Sequence, residues 1–252
     1  MITGARCGPR ELVLVRHGES LGNLADQDAR RRGAGRLDLD VRDADVQLSP
    51  DGERQAAALG AFVRDLPPEQ RPTILATSPY QRAYATAERA VAELPSAPAL
   101  VVDERLRERE LGVFDGLTGT GITAEYPEEA ARRKHLGKFY YRPPSGESWC
   151  DVALRVRSLL SDLADEDDGE RVWVFSHQAV IMSFRLVLEG LSEAQILDLD
   201  TTTPLGNCSM TTYRRDDSGR LALVAAGDTT AVDGSTAPVP HEQESTERSV
   251  PS

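Results

Sequence analysis

The stretch at residues 11–20, ELVLVRHGES, decides the fold. Residues 11–15 run without polar alternation straight into Arg16-His17-Gly18-Glu19-Ser20. Such a run predicts a strand buried on both faces, as in a parallel sheet covered by helices. Three more runs share this character: residues 73–77 (TILAT), 99–102 (ALVV) and 172–175 (VWVF). Helical patterns lie between them. Ser49-Pro50 supplies an N-cap and a first-turn proline, and Ala56, Leu59, Gly60 and Val63 follow at helical spacing. A second helix is expected over residues 80–94. A third runs from 148 to about 165, where Val152, Val156, Leu159, Leu160 and Leu163 form one stripe. A fourth follows His177 and ends near Gly190, and Ser192 with Gln195 forms a capping box for a short fifth. SMTTYRR and LALVAA flank the turn Asp216-Asp217-Ser218-Gly219, a hairpin signal. Alternating strands and helices give an α/β protein: a three-layer α/β/α sandwich around a mostly parallel central sheet.

The pattern fits one domain over residues 1–227 of the 252-residue chain. Residues 28–47 are polar and poor in core-forming side chains, so they are expected to be a long loop or insertion, and 119–144 a second substrate-side insertion. From Asp228 the chain turns rich in Thr, Ser, Pro and Glu, and residues 228–252 are expected to be a disordered acidic tail. The formal charge is −12, about a third of it in that tail. So negative a chain disfavours nucleic acid and anionic membranes as partners. No apolar run reaches the ~18–20 residues that span a bilayer. No signal peptide is evident at the start, and three scattered cysteines suit a reducing compartment. A cytoplasmic location is the expectation. Oligomeric state stays open, a homodimer included.

Three of the strand candidates run into polar groups of one chemical type. The first meets Arg16 and His17, the second Ser78 and Arg82, the third Ser176-His177-Gln178. Ligands of open α/β sheets bind outside the carboxyl ends of the strands. Two histidines and two arginines converging there, at helix N-termini, suit an anion with several oxygens. Phosphate is the obvious candidate.

These residues resemble the signature of the histidine phosphatase superfamily, the phosphoglycerate mutase-like proteins. Leu14-Val15-Arg16-His17-Gly18-Glu19-Ser20 with Asn23 is the first of five matching segments. The others are residues 48–56 (LSPDGERQA), 78–87 (SPYQRAYATA), 106–116 (LRERELGVFDG), and Gly146-Glu147-Ser148 together with residues 176–181 (SHQAVI). One R-H-G is weak; the ordered set across some 170 residues is specific.

The resemblance implies roles. His17 would be the nucleophile, kept neutral with its second ring nitrogen held by a backbone carbonyl. Arg16, Arg82 and His177 would bracket the phosphoryl oxygens, with help from Asn23 and the backbone amide of Gln178. Glu108 would protonate the leaving oxygen and then activate water, with a pKa raised above ~4.3 by burial. Glu110 competes for that role, and the family spacing selects Glu108. The scheme needs no metal or cofactor, and neither His-x-His nor His-Glu-x-x-His spacing occurs.

Bland readings stand beside these. His135 and His241 fall outside all motifs, Trp149 and Trp173 read as core, and Arg30-Arg31-Arg32 reads first as a solvated face and second as a substrate entrance. Bisphosphate-dependent mutases of the family carry a long insertion after paired arginines. Here only twelve residues separate Arg132-Arg133 from Gly146-Glu147-Ser148. The expectation is therefore a phosphomonoester hydrolase acting on a small phosphorylated metabolite. The alternatives are a phosphoglycerate mutase, which 3-phosphoglycerate with a trace of 2,3-bisphosphoglycerate would reveal, and a non-catalytic phospho-ligand binding module.

Overall fold

The strands are β1 (Glu11–Arg16), β2 (Ile74–Thr77), β3 (Leu100–Val102), β4 (Arg171–Ser176), β5 (Met210–Arg215) and β6 (Leu221–Asp228). They form one sheet in the order β3-β2-β4-β1-β5-β6, seen in a computed structural model that describes residues 8–166 and 170–233. β1, β2, β3 and β4 pair in parallel, with Leu14 opposite Val174 and Ala76 opposite both Val174 and Val101. β5 runs antiparallel to β1, and β6 antiparallel to β5.

Alternate residues of the central strands face opposite layers, as the two-residue period of a strand requires. Leu12, Leu14, Val172 and Val174 join a core with Trp149, Val152, Val156, Ile181 and Phe184. Val13, Val15, Trp173 and Phe175 join another with Leu59, Val63, Ala87 and Ala90. The first core belongs to helices α6 (Trp149–Glu166) and α7 (Gln178–Leu188), the second to α2 (Pro50–Asp65) and α3 (Gln81–Val91). Both faces of the sheet are covered, and the three-layer expectation holds. Truncating a fully buried Leu such as Leu59 in such a core costs about 2–5 kcal/mol.

Four features differ from the sequence reading. β3 is an edge strand: Val101 and Val102 are exposed, so this run is not buried on both faces. Residues 28–47 are not all loop, because α1 (Leu21–Arg32) extends into them. Its apolar stripe is thin, but Asp26 pairs with Arg30 and Asp28 with Arg31 and Arg32 at helical spacing, and Gly33 ends it with φ 65°. Residues 119–144 likewise hold two helices, α4 (Gly119–Glu125), capped by Thr118, and α5 (Pro127–Leu136), opened by proline. α5 has no buried residue, so no periodic apolar stripe could announce it. Finally, ordered chain continues past Asp228: Val232 is 2% exposed and packs into the core beside α2 and α3. A single buried valine anchors that turn. Residues 234–252 of the expected tail lie outside the described residues. The capping box of α8 (Glu193–Thr202) forms as read, Ser192 accepting from the Gln195 amide.

Candidate active site

β4 lies between β2 and β1, so the three chain segments leaving their carboxyl ends emerge side by side. Adjacent strands are ~4.8 Å apart, which brings side chains from distant positions into contact. His17 and His177 accordingly sit with ring centroids 5.1 Å apart, and Tyr80 lies 5.3 Å from His177. Arg16 and His177 are fully buried, His17 is 2% exposed and Arg82 5%.

The loop after β1 is held by other motifs rather than by itself. Ser49, the N-cap of α2, donates its hydroxyl to Glu19 Oε1 at 2.6 Å, and Gln55 Oε1 accepts from the Glu19 amide at 2.8 Å. Gly52 lies so close that a Cβ there would fall 1.9 Å from the Glu19 carbonyl oxygen. Thr86 of α3 accepts from the Gly18 amide at 3.0 Å and donates to the Arg82 carbonyl at 2.6 Å. The residues at 48–56 and 78–87 thus clamp the loop that carries His17.

His17 Nδ1 lies 2.7 Å from the Gly18 carbonyl oxygen. A carbonyl only accepts, so Nδ1 carries the proton and Nε2 keeps its lone pair, as expected from the sequence. Burial first, then the charges of Arg82 and Arg16, push the His17 pKa well below its ordinary 6.5, against the opposing pull of the Gly18 hydrogen bond. His177 is also held well below 6.5, by burial and then by Arg82, His17, Arg155 and Arg16. Its Nε2 meets Ser78 Oγ at 2.8 Å, and its buried Nδ1 has no hydrogen-bond partner among the described residues. Arg16 donates from Nη1 to the Leu205 carbonyl at 2.5 Å. Arg82 reaches Asp43, donating to its backbone carbonyl at 2.6 Å and to Oδ2 at 3.1 Å.

A cavity of about 390 Å³, the size of a small-molecule site, reaches Arg82 and Gln178, while Arg16, His17 and His177 are buried beside it and are not among its lining residues. Arg82, Tyr80, Glu108, Glu110 and Gln178 line it. Glu108 and Glu110 stand on one loop, where the Arg109 amide donates to Glu108 and the Gly112 amide to Glu110. Glu147 holds that loop: it takes the Glu110 amide at 3.1 Å and pairs with Arg107 and Arg155. Burial, then the carboxylates of Asp43 and Glu110, raises the Asp115 pKa on the same wall. Tyr80 is pushed up to about 12, chiefly by burial.

Both segments expected to shape substrate do line the cavity, through Arg30, Arg36, Leu37 and Leu39 from one and Ile122, Arg133 and Tyr141 from the other. Of the triple arginine only Arg30 does so, while Arg31 and Arg32 pair with Asp28 on the surface. Asn23, like Arg16, His17 and His177, is buried and is not among the cavity-lining residues. Its Oδ1 accepts from the Ser20 amide at 3.0 Å while its own backbone amide donates to Ser20 Oγ at 3.2 Å, which closes a capping box on α1, and Asn207 Nδ2 also donates to Oδ1 at 3.3 Å. Gln178 begins α7, whose N-cap His177 makes no side-chain cap bond, and its side chain donates to Asp200. Sequence reading missed Asp43, Asp200 and Asn207, the last donating to the His17 carbonyl at 3.1 Å. Gly206-Asn207 is a turn-type pair, the one local signal available there.

The chain belongs to the histidine phosphatase superfamily: the profile of its branch 1 matches residues 12–229. It is similar to the "Bifunctional protein Rv2228c" of Mycobacterium tuberculosis, 34% identical over 226 residues, 88% of this chain and 55% of that protein. The chain thus spans about half the length of the mycobacterial relatives it matches. It is also similar to 2,3-bisphosphoglycerate-dependent phosphoglycerate mutase 2 of Gloeobacter violaceus, 32% identical over 73% of this chain and 78% of the mutase. Among solved structures, a mycobacterial glucosyl-3-phosphoglycerate phosphatase superposes with TM-score 0.69 at 28% identity, covering 87% of this chain and 99% of that one. Phosphatases and mutases both stand among these relatives. No helix among the described residues is long and apolar enough to cross a membrane.

Proposed function

We propose that this protein hydrolyses a small phosphomonoester through a phosphohistidine on His17. The observation that carries the reading is the His17 Nδ1 contact with the Gly18 carbonyl at 2.7 Å, in a ring that burial keeps neutral. The Nε2 lone pair attacks phosphorus, and the bond to the ester oxygen breaks. Arg16, Arg82 and the buried Nδ1 side of His177 take the charge spreading over the phosphoryl oxygens. The α7 N-terminus, with the Gln178 amide in its first turn, adds a favourable dipole. Asn23 acts one step back, by fixing α1 after the His17 loop. Glu108, on the cavity wall, gives its proton to the leaving oxygen and then takes one from the water that opens the phosphohistidine. No metal or cofactor enters these steps, so full activity is expected in excess chelator. The test is acid-quenched turnover of an aryl phosphate. Wild type should carry an acid-labile phosphoryl group, and His17→Ala should lose it with at least about a thousandfold of rate. Full hydrolysis by His17→Ala would overturn the assignment.

Hydrolysis is favoured over transfer because α5, with Arg132 and Arg133, returns to Gly146 within a short segment that leaves no room for a covering insertion. One observation favours the mutase reading: Arg133 lines the cavity, where it can meet a substrate carboxylate. Rapid appearance of 2-phosphoglycerate from 3-phosphoglycerate with a trace of 2,3-bisphosphoglycerate, and little free phosphate, would decide for it.

A further inference from the structure

Asp200, near the end of α8, is 6% exposed, and its carboxylate lies between two donors. Lys138 Nζ reaches Oδ2 at 3.0 Å and Gln178 Nε2 reaches Oδ1 at 2.9 Å. A carboxylate that shares an ammonium only accepts, so Gln178 must turn its NH2 toward Asp200 and its carbonyl oxygen away. That oxygen is buried and has no hydrogen-bond partner among the described residues, while Gln178 itself is 6% exposed and lines the cavity directly after His177. Trp149 lines the same cavity at 1% exposure, with the Arg109 guanidinium 5.9 Å and the Lys138 ammonium 5.5 Å from its ring centroid. Its indole Nε1 is also buried and unpaired among the described residues. Buried polar atoms are rarely left so, and here they are one acceptor and one donor on residues of a single cavity.

We propose that Asp200 is a positioning residue: it fixes the Gln178 amide so that its carbonyl oxygen, with the Trp149 indole N–H, selects a phosphomonoester bearing hydroxyl groups beside the ester carbon. The inference rests on the phosphatase reading, since the phosphoryl group held by Arg16, Arg82 and His177 sets where those hydroxyls fall. A hydroxyl both donates and accepts. An ammonium would serve Gln178 but not Trp149, and a carboxylate would serve Trp149 but not Gln178. Sites built this way discriminate against the analogue that lacks the group, because their own polar atoms then stay unpaired.

The test compares glycerol 3-phosphate with propyl phosphate, which has the same carbon chain without the two hydroxyls. Hydrolysis is followed with the full chain, and binding by calorimetry with His17→Ala, which separates affinity from turnover. Wild type should favour the hydroxylated ester by about tenfold or more in kcat/KM. Asp200→Asn lets the facing amides pair in either sense, so the ratio should fall toward one, and Asp200→Glu should recover part of it. Trp149→Phe should lower the ratio independently. A wild-type ratio within about twofold of one overturns the proposal, as does a ratio unchanged in both Asp200→Asn and Trp149→Phe. Equal hydrolysis of both esters sinks the selectivity and leaves the phosphatase reading standing. Hydroxyl-selective binding without hydrolysis of either ester does the reverse, and neither binding nor hydrolysis sinks both.

Discussion

Arg82 and Asp43 form an ion pair inside the candidate site, with Nη1 2.9 Å from Oδ1, although Asp43 stands 39 residues before Arg82 in the chain and outside every matching motif. This pairing puts a carboxylate where a phosphoryl oxygen is expected to bind, so ligand and Asp43 compete for one guanidinium. Asp43→Asn should therefore tighten inorganic phosphate by roughly two- to fivefold, the half-exposed carboxylate limiting the pair to about 1 kcal/mol or less. Inhibition constants for phosphate in the two proteins check it. Unchanged or weaker inhibition would mean that Asp43 orients Arg82 instead of competing with the ligand.

Glu108 and Glu110 both line the cavity, and leaving-group dependence separates them. An alkoxide needs a proton on departure, and p-nitrophenolate does not. Glu108→Gln should lose about 10²–10⁴-fold on an alkyl phosphate and at least tenfold less on p-nitrophenyl phosphate. Glu110→Gln should affect both esters alike. The opposite pattern would transfer the acid role to Glu110.

The two neutral histidines fix a direction for pH dependence. Both have folded pKa values well below 6.5, so beneath 6.5 the unfolded chain binds protons that the folded chain does not. Their stabilising contribution is complete above pH 6.5 and is lost as pH falls toward the folded values, by up to about 1.4 kcal/mol per ring per pH unit. Urea midpoints at pH 7.5 and 5.5 should differ less in His17→Gln than in wild type. Ring signals of His17 that titrate at 6.5 in the folded protein would contradict the assignment.

Gly52 meets the Glu19 backbone so closely that no side chain fits without moving the His17 loop. Gly52→Ala should cost about 1–3 kcal/mol and lower kcat with it. Thermal denaturation and turnover of the same preparation measure both. A variant with altered melting and wild-type kcat would uncouple the clamp from the site.

Strands and motifs were legible because their causes are local. Unbroken apolar runs at 11–15 and 172–175 announce buried central strands, and Ser49-Pro50 announces a capped helix. The same logic overreached at 99–102, because sequence does not say which strand will stand at the edge. It fell short at α1, α4 and α5, whose surface pairs and caps leave little apolar periodicity. Within the candidate site, Arg16, His17, Arg82 and His177 follow strands and so were placed by fold rules. Asp43 and Asp200 come from a turn and a helix end that only tertiary packing brings to the cavity. Asn23 has a second part that the motif alone does not announce, for its side chain also caps α1.

Arg16 and His17 are completed from the far end of the chain: Leu205 takes the guanidinium, Asn207 donates to the His17 carbonyl, and the Cys208 amide donates to the Arg16 carbonyl at 3.1 Å. A growing polypeptide therefore makes His17 early but finishes that ring's surroundings only after residue 208 has left the ribosome. Chains released before that point carry every motif of the signature and lack the framework that orients it. Synthesis through residue 208, rather than through the last motif, is thus what completes the surroundings of His17.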